Sequence, residues 1–207
     1  MRVLAVDVGI KNLAFCVMDD GKVIEWANEP LTDELYMPAE NVSYIRSFVA
    51  AHHAAFRDAD KIVIERQMSV NMRIIEAVLQ TMFFEKTKLV NARTVKAKFG
   101  LCKRNYRQNK LASVDFVRAR LSHDPLFASW FERQKKKDDL ADAYVMALFF
   151  SRHVDNEDDA EPATDDDHDA ADDTAKGADA ETAKAEAGDT GTDAAPAADA
   201  APAADGP

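Results

Sequence analysis

Five short apolar stretches, separated by segments of helical spacing, limit the folds open to this chain more than any other feature. They cover residues 2–8, 13–18, 22–26, 61–65 and 88–91. Their length and their β-branched residues are typical of buried strands. Asp19, Asp20 and Gly21 separate the second stretch from the third and favour a tight turn. The first three strands are therefore predicted to form an antiparallel meander.

Apolar residues recur at helical spacing between and after the later strands. The predicted helices cover residues 41–56, 71–86 and 138–153, and a further apolar stripe runs through Leu111, Val114, Val117 and Leu121. Residues 122–131 are predicted to form an irregular loop. The resulting order, β-β-β-α-β-α-β-α, indicates an α/β protein with a five-stranded mixed sheet flanked by helices.

Charge divides the 207-residue chain into two parts. The net charge is −11 overall, but residues 155–207 contain 18 acidic residues and two lysines, a net of −16. Residues 1–154 contain 24 basic and 19 acidic residues, a net of +5. Residues 155–207 lack Leu, Ile, Val, Met and aromatic side chains, so they cannot offset the entropy of ordering by apolar burial. We predict one globular domain over residues 1–154 and a disordered Asp/Ala-rich tail over residues 155–207.

Cysteine usage and hydropathy exclude several classes of protein. Cys16 and Cys102 form no disulfide pattern, which is typical of a reduced intracellular chain. Asp7 interrupts the N-terminal apolar stretch, unlike the core of a secretory signal, and no apolar run approaches the ~20 residues of a membrane helix. We expect a cytoplasmic or nuclear protein that is not secreted and has no membrane partner.

Five carboxylates stand where a solvated surface is a poor explanation. Asp7 and Glu65 each end an apolar strand. Asp138, Asp139 and Asp142 lie at the start of a strongly apolar helix. On that helix Asp142 shares a face with Asp138 and also with Asp139. One interpretation is structural, with the helix dipole and nearby Lys or Arg balancing each acid. The other is a metal site, because carboxylates held close together repel unless a cation neutralises them.

Mg²⁺ is the cation that such a set favours, with Mn²⁺ as a substitute, because both prefer hard oxygen ligands. Two such ions would activate a water and stabilise the leaving oxygen of a phosphodiester. The five histidines and two cysteines show no clustered spacing of the kind that a zinc site needs. The sequence therefore points away from zinc.

A basic segment, residues 86–137, holds 15 Lys or Arg against three acids, a net of +12. A solvated helix face usually mixes both signs, so this segment is more typical of a surface that follows a phosphate backbone. The candidate DNA-binding residues are Lys96, Lys98, Lys103, Arg104, Arg107, Lys110, Arg118, Lys135, Lys136 and Lys137. Tyr106 and Trp130 are candidate stacking platforms, although an aromatic residue is more often part of the core.

The motifs AVDVGIKNLAF, IVIERQ and KKKDDLADA, in this order, resemble those of the RuvC-type Holliday junction resolvases. The resemblance is closest to the branch found in poxviruses and other large DNA viruses, and it spans residues 1–154. It implies an RNase H-like fold, a homodimer, and a Mg²⁺-dependent endonuclease that resolves four-way DNA junctions by paired nicks in recombination, repair or viral genome processing. No nucleotide cofactor is expected.

By position, the resemblance makes Asp7, Glu65, Asp139 and Asp142 the catalytic acids, and it leaves Asp138 as an alternative partner of Asp142. All five are candidate metal ligands. Lys110 lies about where viral members place a lysine near the cleaved phosphate. The hypothesis is two-metal hydrolysis that leaves a 5′-phosphate at each nick.

Three alternatives differ in substrate or class. An RNase H-like enzyme acting on RNA/DNA hybrids or other branched DNA would have the same acids. An actin-type ATPase or sugar kinase would begin with a similar DxGxxN loop but needs a second glycine-rich loop, and only three glycines precede residue 155. A catalytically inactive DNA-binding module would lack some of the acids, and none is missing.

The apolar helix over residues 71–86 is either a dimer contact or a fully buried helix.

Overall fold

A computed structural model of the chain describes residues 1–152, except for the side chain of Tyr106. The strands in this range are β1 (Arg2–Asp7), β2 (Leu13–Asp19), β3 (Lys22–Glu29), β4 (Lys61–Glu65) and β5 (Thr87–Val90). The α-helices are α1 (Asn41–Ala51), α2 (His53–Asp58), α3 (Val70–Met82), α4 (Ala92–Lys98), α5 (Tyr106–Leu121), α6 (Pro125–Arg133) and α7 (Lys137–Arg152). Short 3-10 turns cover Pro38–Glu40 and Phe84–Lys86. The predicted tail and the stacking role of Tyr106 lie outside the described residues.

The strands form one mixed sheet with the order β3-β2-β1-β4-β5. β1 pairs antiparallel with β2 and parallel with β4, and β4 pairs parallel with β5. In the turn between β2 and β3, Asp20 and Gly21 have φ angles of 46° and 78°, a region that glycine enters without steric cost. The five-stranded mixed sheet and the predicted hairpin are confirmed.

Helices cover both faces of the sheet, so its central strands are buried on either side. On one face α7 packs against β1 and β2, and its residues from Leu140 to Phe150 are buried apart from Asp142. On the other face α1, α2 and α3 pack their apolar sides against Leu4 and Val6 of β1. Fully burying each large apolar side chain contributes about 1.5–3 kcal/mol, so this double layer dominates the stability of the domain.

The helix predicted over residues 41–56 is two helices in the structure. The chain leaves the helical conformation at His52, which has φ −106° and ψ 33°. The imidazole of this residue lies between the carboxylates of Glu25 and Glu29, at 3.3 and 3.1 Å, and packs against Phe15 and Phe48. Apolar periodicity does not reveal such a polar contact, so the prediction of one continuous helix was wrong.

The irregular loop predicted over residues 122–131 is wrong, because this segment contains α6. The carboxylate of Asp124 accepts the backbone N–H of Phe127 at 3.2 Å, and Pro125 occupies the first helical turn, two signals of a helix start. Trp130 is buried and its ring centroid lies 5.1 Å from that of Trp26. Trp130 is therefore a core residue and not a platform for DNA bases. The short helix α4 was not predicted as a separate element.

Helix α3 is apolar on two sides, and the rest of residues 1–152 covers only one of them. Ile75 and Leu79 are fully buried against the sheet, whereas Val70, Ile74 and Met82 are 74%, 40% and 41% exposed. The interpretation of this segment as a fully buried helix is wrong. No helix among residues 1–152 has the length and apolar character needed to cross a membrane.

Candidate active site

The topology brings the predicted acids to one edge of the sheet. β1 and β4 are parallel neighbours, with Val6 opposite Ile64, so the residues that end them, Asp7 and Glu65, lie side by side. Helix α7 starts at the same edge, where the indole Nε1 of Trp26 donates a hydrogen bond to the carbonyl of Leu140 at 3.1 Å. This buried bond fixes the first turn of α7, which carries the remaining acids.

Asp7 is the most strongly perturbed of these acids. Burial raises its pKa well above the ordinary value, and the charge of Glu65 and a side-chain hydrogen bond with Glu65 raise it further. The negative charges of Asp142 and Asp139 act in the same direction. The four acids are therefore close enough to repel one another. Burial and the charges of Asp138 and Asp142 also raise the pKa of Asp139.

Two lysines pair with the acids of α7. The Nζ of Lys96 donates to Oδ2 of Asp142 at 2.8 Å, and both side chains are mostly buried, with 16% and 14% exposed. Lys110 donates to Oδ2 of Asp138. Burial alone would raise the pKa of Asp138, but the hydrogen bond and charge of Lys110 bring it below its ordinary value. Asp138 and Asp139, although adjacent, thus have opposite electrostatic environments.

Two cavities meet at Asp7 and Asp139. The first, which we call the basic cavity, has a volume of about 460 Å³. Besides these two acids it is lined by Glu65, Asp142 and the cationic residues Arg66, Arg93, Lys96 and Lys110. The second, which we call the apolar cavity, has a volume of about 740 Å³ and is lined by Ile10, Leu35, Tyr36, Met72, Lys11 and Lys136 among others. A phosphodiester in the basic cavity would have cations around its charge and carboxylates beside it.

Comparison with known proteins shows which family this chain belongs to. The sequence model of the poxvirus A22 protein family matches residues 1–153. The chain belongs to the poxvirus A22 protein family. This match confirms the resemblance to the poxvirus branch of the RuvC-type resolvases. Among curated proteins, none matches the chain significantly.

Solved resolvase structures share the fold of the A22-family protein. The yeast mitochondrial Holliday junction resolvase Ydc2 is 20% identical with a TM-score of 0.56, over 73% of this chain and 79% of that one. The fowlpox virus resolvase, in a complex with substrate Holliday junction DNA, is 22% identical with a TM-score of 0.55, over 74% and 99% of the chains. For RuvC from Thermus thermophilus the values are 17%, 0.50, 74% and 97%. The RNase H-like fold of these resolvases confirms the predicted fold class.

The structure of the A22-family protein separates the predicted acids into two groups. Asp7, Glu65, Asp139 and Asp142 line the basic cavity together. Asp138 lines neither described cavity and is paired with Lys110. The geometry therefore favours Asp139 over Asp138 as the partner of Asp142.

The predicted DNA-binding residues are spread more widely. Lys96 and Lys110 line the basic cavity and Lys136 lines the apolar cavity. Arg118 instead pairs with Glu132 at 2.6 Å and with Asp115 at 3.0 Å. The remaining predicted residues line neither described cavity: Lys98, Lys103, Arg104, Arg107, Lys135 and Lys137.

Sequence reasoning missed two arginines of the basic cavity and one lysine of the apolar cavity. Arg66 follows Glu65 directly in the motif IVIERQ, and Lys11 lies in the motif AVDVGIKNLAF. Arg66 is next to the strand-end acid Glu65, and Lys11 is four residues after the strand-end acid Asp7. This proximity is a usable signal. Arg93 has no such signal, because it is placed by α4, a helix too short for its apolar periodicity to be recognised.

The acids of the A22-family protein fit a divalent cation in chemistry, since all four offer carboxylate oxygens. One of these oxygens, Oδ1 of Asp142, is buried and has no hydrogen-bond partner in the part of the chain that the structure describes. Within residues 1–152, however, no three His, Cys, Asp or Glu side chains are grouped so that they could hold a metal as they stand. Lys96 is paired with the carboxylate of Asp142. A divalent cation that bound this carboxylate would therefore have to displace the lysine at least in part.

Proposed function

We propose that this protein is a Mg²⁺-dependent endonuclease that resolves four-way DNA junctions by paired hydrolysis of phosphodiester bonds. The observation that carries the proposal is the convergence of Asp7, Glu65, Asp139 and Asp142 on one cavity whose other lining residues include four cations. Acids alone would repel a phosphate, and cations alone would only bind it. Their combination suits a site that binds a nucleic-acid backbone and cuts it.

In this proposal Asp7, Glu65, Asp139 and Asp142 hold the divalent ions. When bound, such ions activate water and stabilise the charge that develops on the leaving oxygen. Arg66, Arg93 and Lys110 bind the phosphate and hold the scissile bond beside the acids. Hydrolysis breaks the bond between phosphorus and the 3′-oxygen, which leaves a 3′-hydroxyl and a 5′-phosphate that a ligase can join.

The relatives support a branched substrate. The fowlpox virus resolvase has been solved with substrate Holliday junction DNA, and it shares this fold along nearly its whole length. We infer that the A22-family chain acts on the same class of DNA inside the cell, in recombination, repair or the processing of replicated genomes. A nucleotide cofactor has no place in this reaction.

Paired nicks require two active sites, and α3 offers a surface on which two copies can meet. Its exposed side and the flanking turns carry a run of apolar side chains: Met68, Val70, Ile74, Met82 and Phe84. A cluster of this kind on a soluble chain marks an interaction surface. We propose a two-fold homodimer through this face. Sedimentation of wild type and Ile74→Glu at micromolar concentration tests it, since a charge there should produce monomers.

The decisive experiment compares four labelled substrates in buffer with Mg²⁺ or with a chelator. These are an immobile four-way junction, a flap, an RNA/DNA hybrid and a linear duplex. We expect symmetric nicks in the four-way junction and in none of the other three substrates. The nicks should require Mg²⁺ and leave ends that ligase can reseal. Preferred cutting of the hybrid would favour the RNase H-like alternative, and junction binding without cutting in Mg²⁺ or Mn²⁺ would contradict the proposal.

A further inference from the structure

Among residues 1–152, one charged residue is less exposed to solvent than any other, including the acids of the basic cavity. This residue is Glu76 on α3, which is 8% exposed. Removing a carboxylate from water is costly unless the group gains strong hydrogen bonds in return. A buried Glu on a helix whose other covered residues are apolar therefore indicates a specific partner. Apolar spacing predicts the helix but does not single out this residue.

The partner of Glu76 is the chain that leaves β4. Oε2 of Glu76 accepts the backbone N–H of Gln67 at 2.6 Å. Gln67 is two residues beyond Glu65, one of the four acids of the basic cavity. A hydrogen bond to a carboxylate is shorter and stronger than one to a neutral acceptor. Glu76 thus anchors the segment directly after Glu65 to α3.

Two further hydrogen bonds hold Arg66 and Gln67, one from the sheet and one from within the segment. The N–H of Arg66 donates to the carbonyl of Val90 at 2.8 Å, at the end of the pairing of β4 with β5. The side chain of Gln67 donates to the carbonyl of Glu65 at 3.4 Å. Glu76 therefore supplies the anchor from the helical layer.

We propose that Glu76 is a positioning residue that sets the place of the Glu65 carboxylate relative to Asp7. Glu65 and Asp7 end neighbouring parallel strands and their side chains interact, so the position of the Glu65 backbone affects how the two acids act together. A displacement of about 1 Å in a catalytic group lowers the rate up to about 100-fold. The inference rests on the proposed function, because it assigns Glu76 a role in that reaction.

The test separates catalysis from binding and from folding. Glu76→Ala removes the acceptor, while Glu76→Gln keeps an oxygen at the same position. For each protein the single-turnover cleavage rate constant, the junction Kd, the sedimentation profile and the urea unfolding curve are measured. Glu85→Ala, an exposed glutamate in the turn after α3, is the matched control.

We expect Glu76→Ala to cleave about 10- to 100-fold more slowly with a junction Kd within about twofold of the wild type. Glu76→Gln should recover at least half of the wild-type rate, and Glu85→Ala should match the wild type. If the alanine variant folds poorly, Glu76→Met replaces it, because it fills the space without an acceptor oxygen.

Three results would overturn the inference: a wild-type rate in Glu76→Ala, a rate loss that only matches its unfolded fraction, or a Gln variant as slow as the Ala variant. A wild-type protein that does not cut junctions is a different outcome. It would contradict the proposed function itself, not the role of Glu76 within it.

Discussion

Lys96 and Asp142 form an ion pair in the basic cavity, with 2.8 Å between Nζ and Oδ2. The lysine comes from α4 and the acid from the second turn of α7, so the pair joins two elements that are distant in sequence. Both side chains are mostly buried, and Oδ1 of Asp142 accepts no hydrogen bond from the described residues 1–152. A residue predicted to bind DNA phosphate thus neutralises a proposed metal ligand.

We expect Lys96→Met to lower the free energy of unfolding by about 2 kcal/mol, because it leaves Asp142 buried without its cation. Adding Asp142→Asn should restore part of the loss, since a neutral amide is less costly to bury. Urea denaturation of the wild type, both single variants and the double variant gives the coupling free energy. A coupling below about 0.5 kcal/mol would show that the pair contributes little.

The same variant tests whether Mg²⁺ competes with Lys96 for Asp142. A ligand that binds only the folded protein raises Tm by mass action. We expect Mg²⁺ to raise the Tm of Lys96→Met by more than that of the wild type. Lys98→Met, on the same helix but lining neither described cavity, is the control and should behave like the wild type. Equal Mg²⁺ shifts in all three proteins would argue against competition.

Asp7→Asn should abolish cleavage and leave junction binding intact. Burial and the charge of Glu65 disfavour the ionised form of Asp7, so the amide also relieves a repulsion. We expect the metal-free variant to be more stable than the wild type by about 1 kcal/mol near neutral pH. Nicking assays, gel shifts and urea curves measure the three effects. Asp33→Asn, an exposed acid that lines neither described cavity, should change none of them, whereas Mg²⁺-dependent cutting by Asp7→Asn would exclude Asp7 as an essential ligand.

The sheet and the convergence of its acids were predictable because they follow from local patterns. An apolar strand that ends in Asp7 and another that ends in Glu65 need only be parallel neighbours for the two acids to meet. The acids at the start of α7 extend the same edge. Each of these signals lies within a few residues of sequence, and the order of the three motifs supplied the resemblance to the resolvase family.

Contacts between distant segments were not predictable in this way. The break at His52 depends on Glu25 and Glu29 of another element, and the anchor at Glu76 depends on Gln67 across a turn. Helix α6 is a different case, because its Asp-Pro start was present in the sequence and was missed. Polar partners across the fold are decided by packing, which apolar periodicity does not encode.

The contact of His52 with Glu25 and Glu29 predicts a pH-dependent stability. Burial alone would lower the pKa of His52, but hydrogen bonds and charge from the two glutamates raise it to about 9. A group whose folded pKa lies above its unfolded value stabilises the fold fully below the unfolded pKa, here 6.5. That contribution is lost as the pH rises from about 6.5 to about 9.

We expect the wild type to lose about 1–2 kcal/mol of unfolding free energy across this window, a value discounted because both glutamates are partly exposed. In His52→Asn, which cannot titrate, the loss should be absent or much smaller. His53→Asn, the neighbouring histidine, controls for general effects of the substitution. Urea curves at several pH values measure the difference, and parallel pH profiles for wild type and His52→Asn would contradict the assignment.

The charge of residues 155–207 gives a prediction about DNA affinity. Residues 155–173 hold 11 acids and no basic residue, and this block follows directly on the domain. Helix α7 rises about 1.5 Å per residue, so its end at Arg152 lies about 20 Å from Asp138 and Asp139 at its start. A fully extended chain needs about six residues to span that distance. We therefore expect the acidic block to compete with DNA for the basic cavity.

Removing residues 155–207 should tighten binding of junction DNA at low salt by about threefold or more, and the gain should fade as screening increases toward about 0.3 M salt. A variant with all 18 acids changed to Asn or Gln keeps the length of the segment and removes its charge, so it should show the same gain. Gel shifts across a salt series measure both proteins. If the truncated chain binds junction DNA more tightly but the charge-neutralised variant does not, then the bulk of the segment and not its charge weakens DNA binding. An unchanged affinity in both would leave the segment as a solubilising extension.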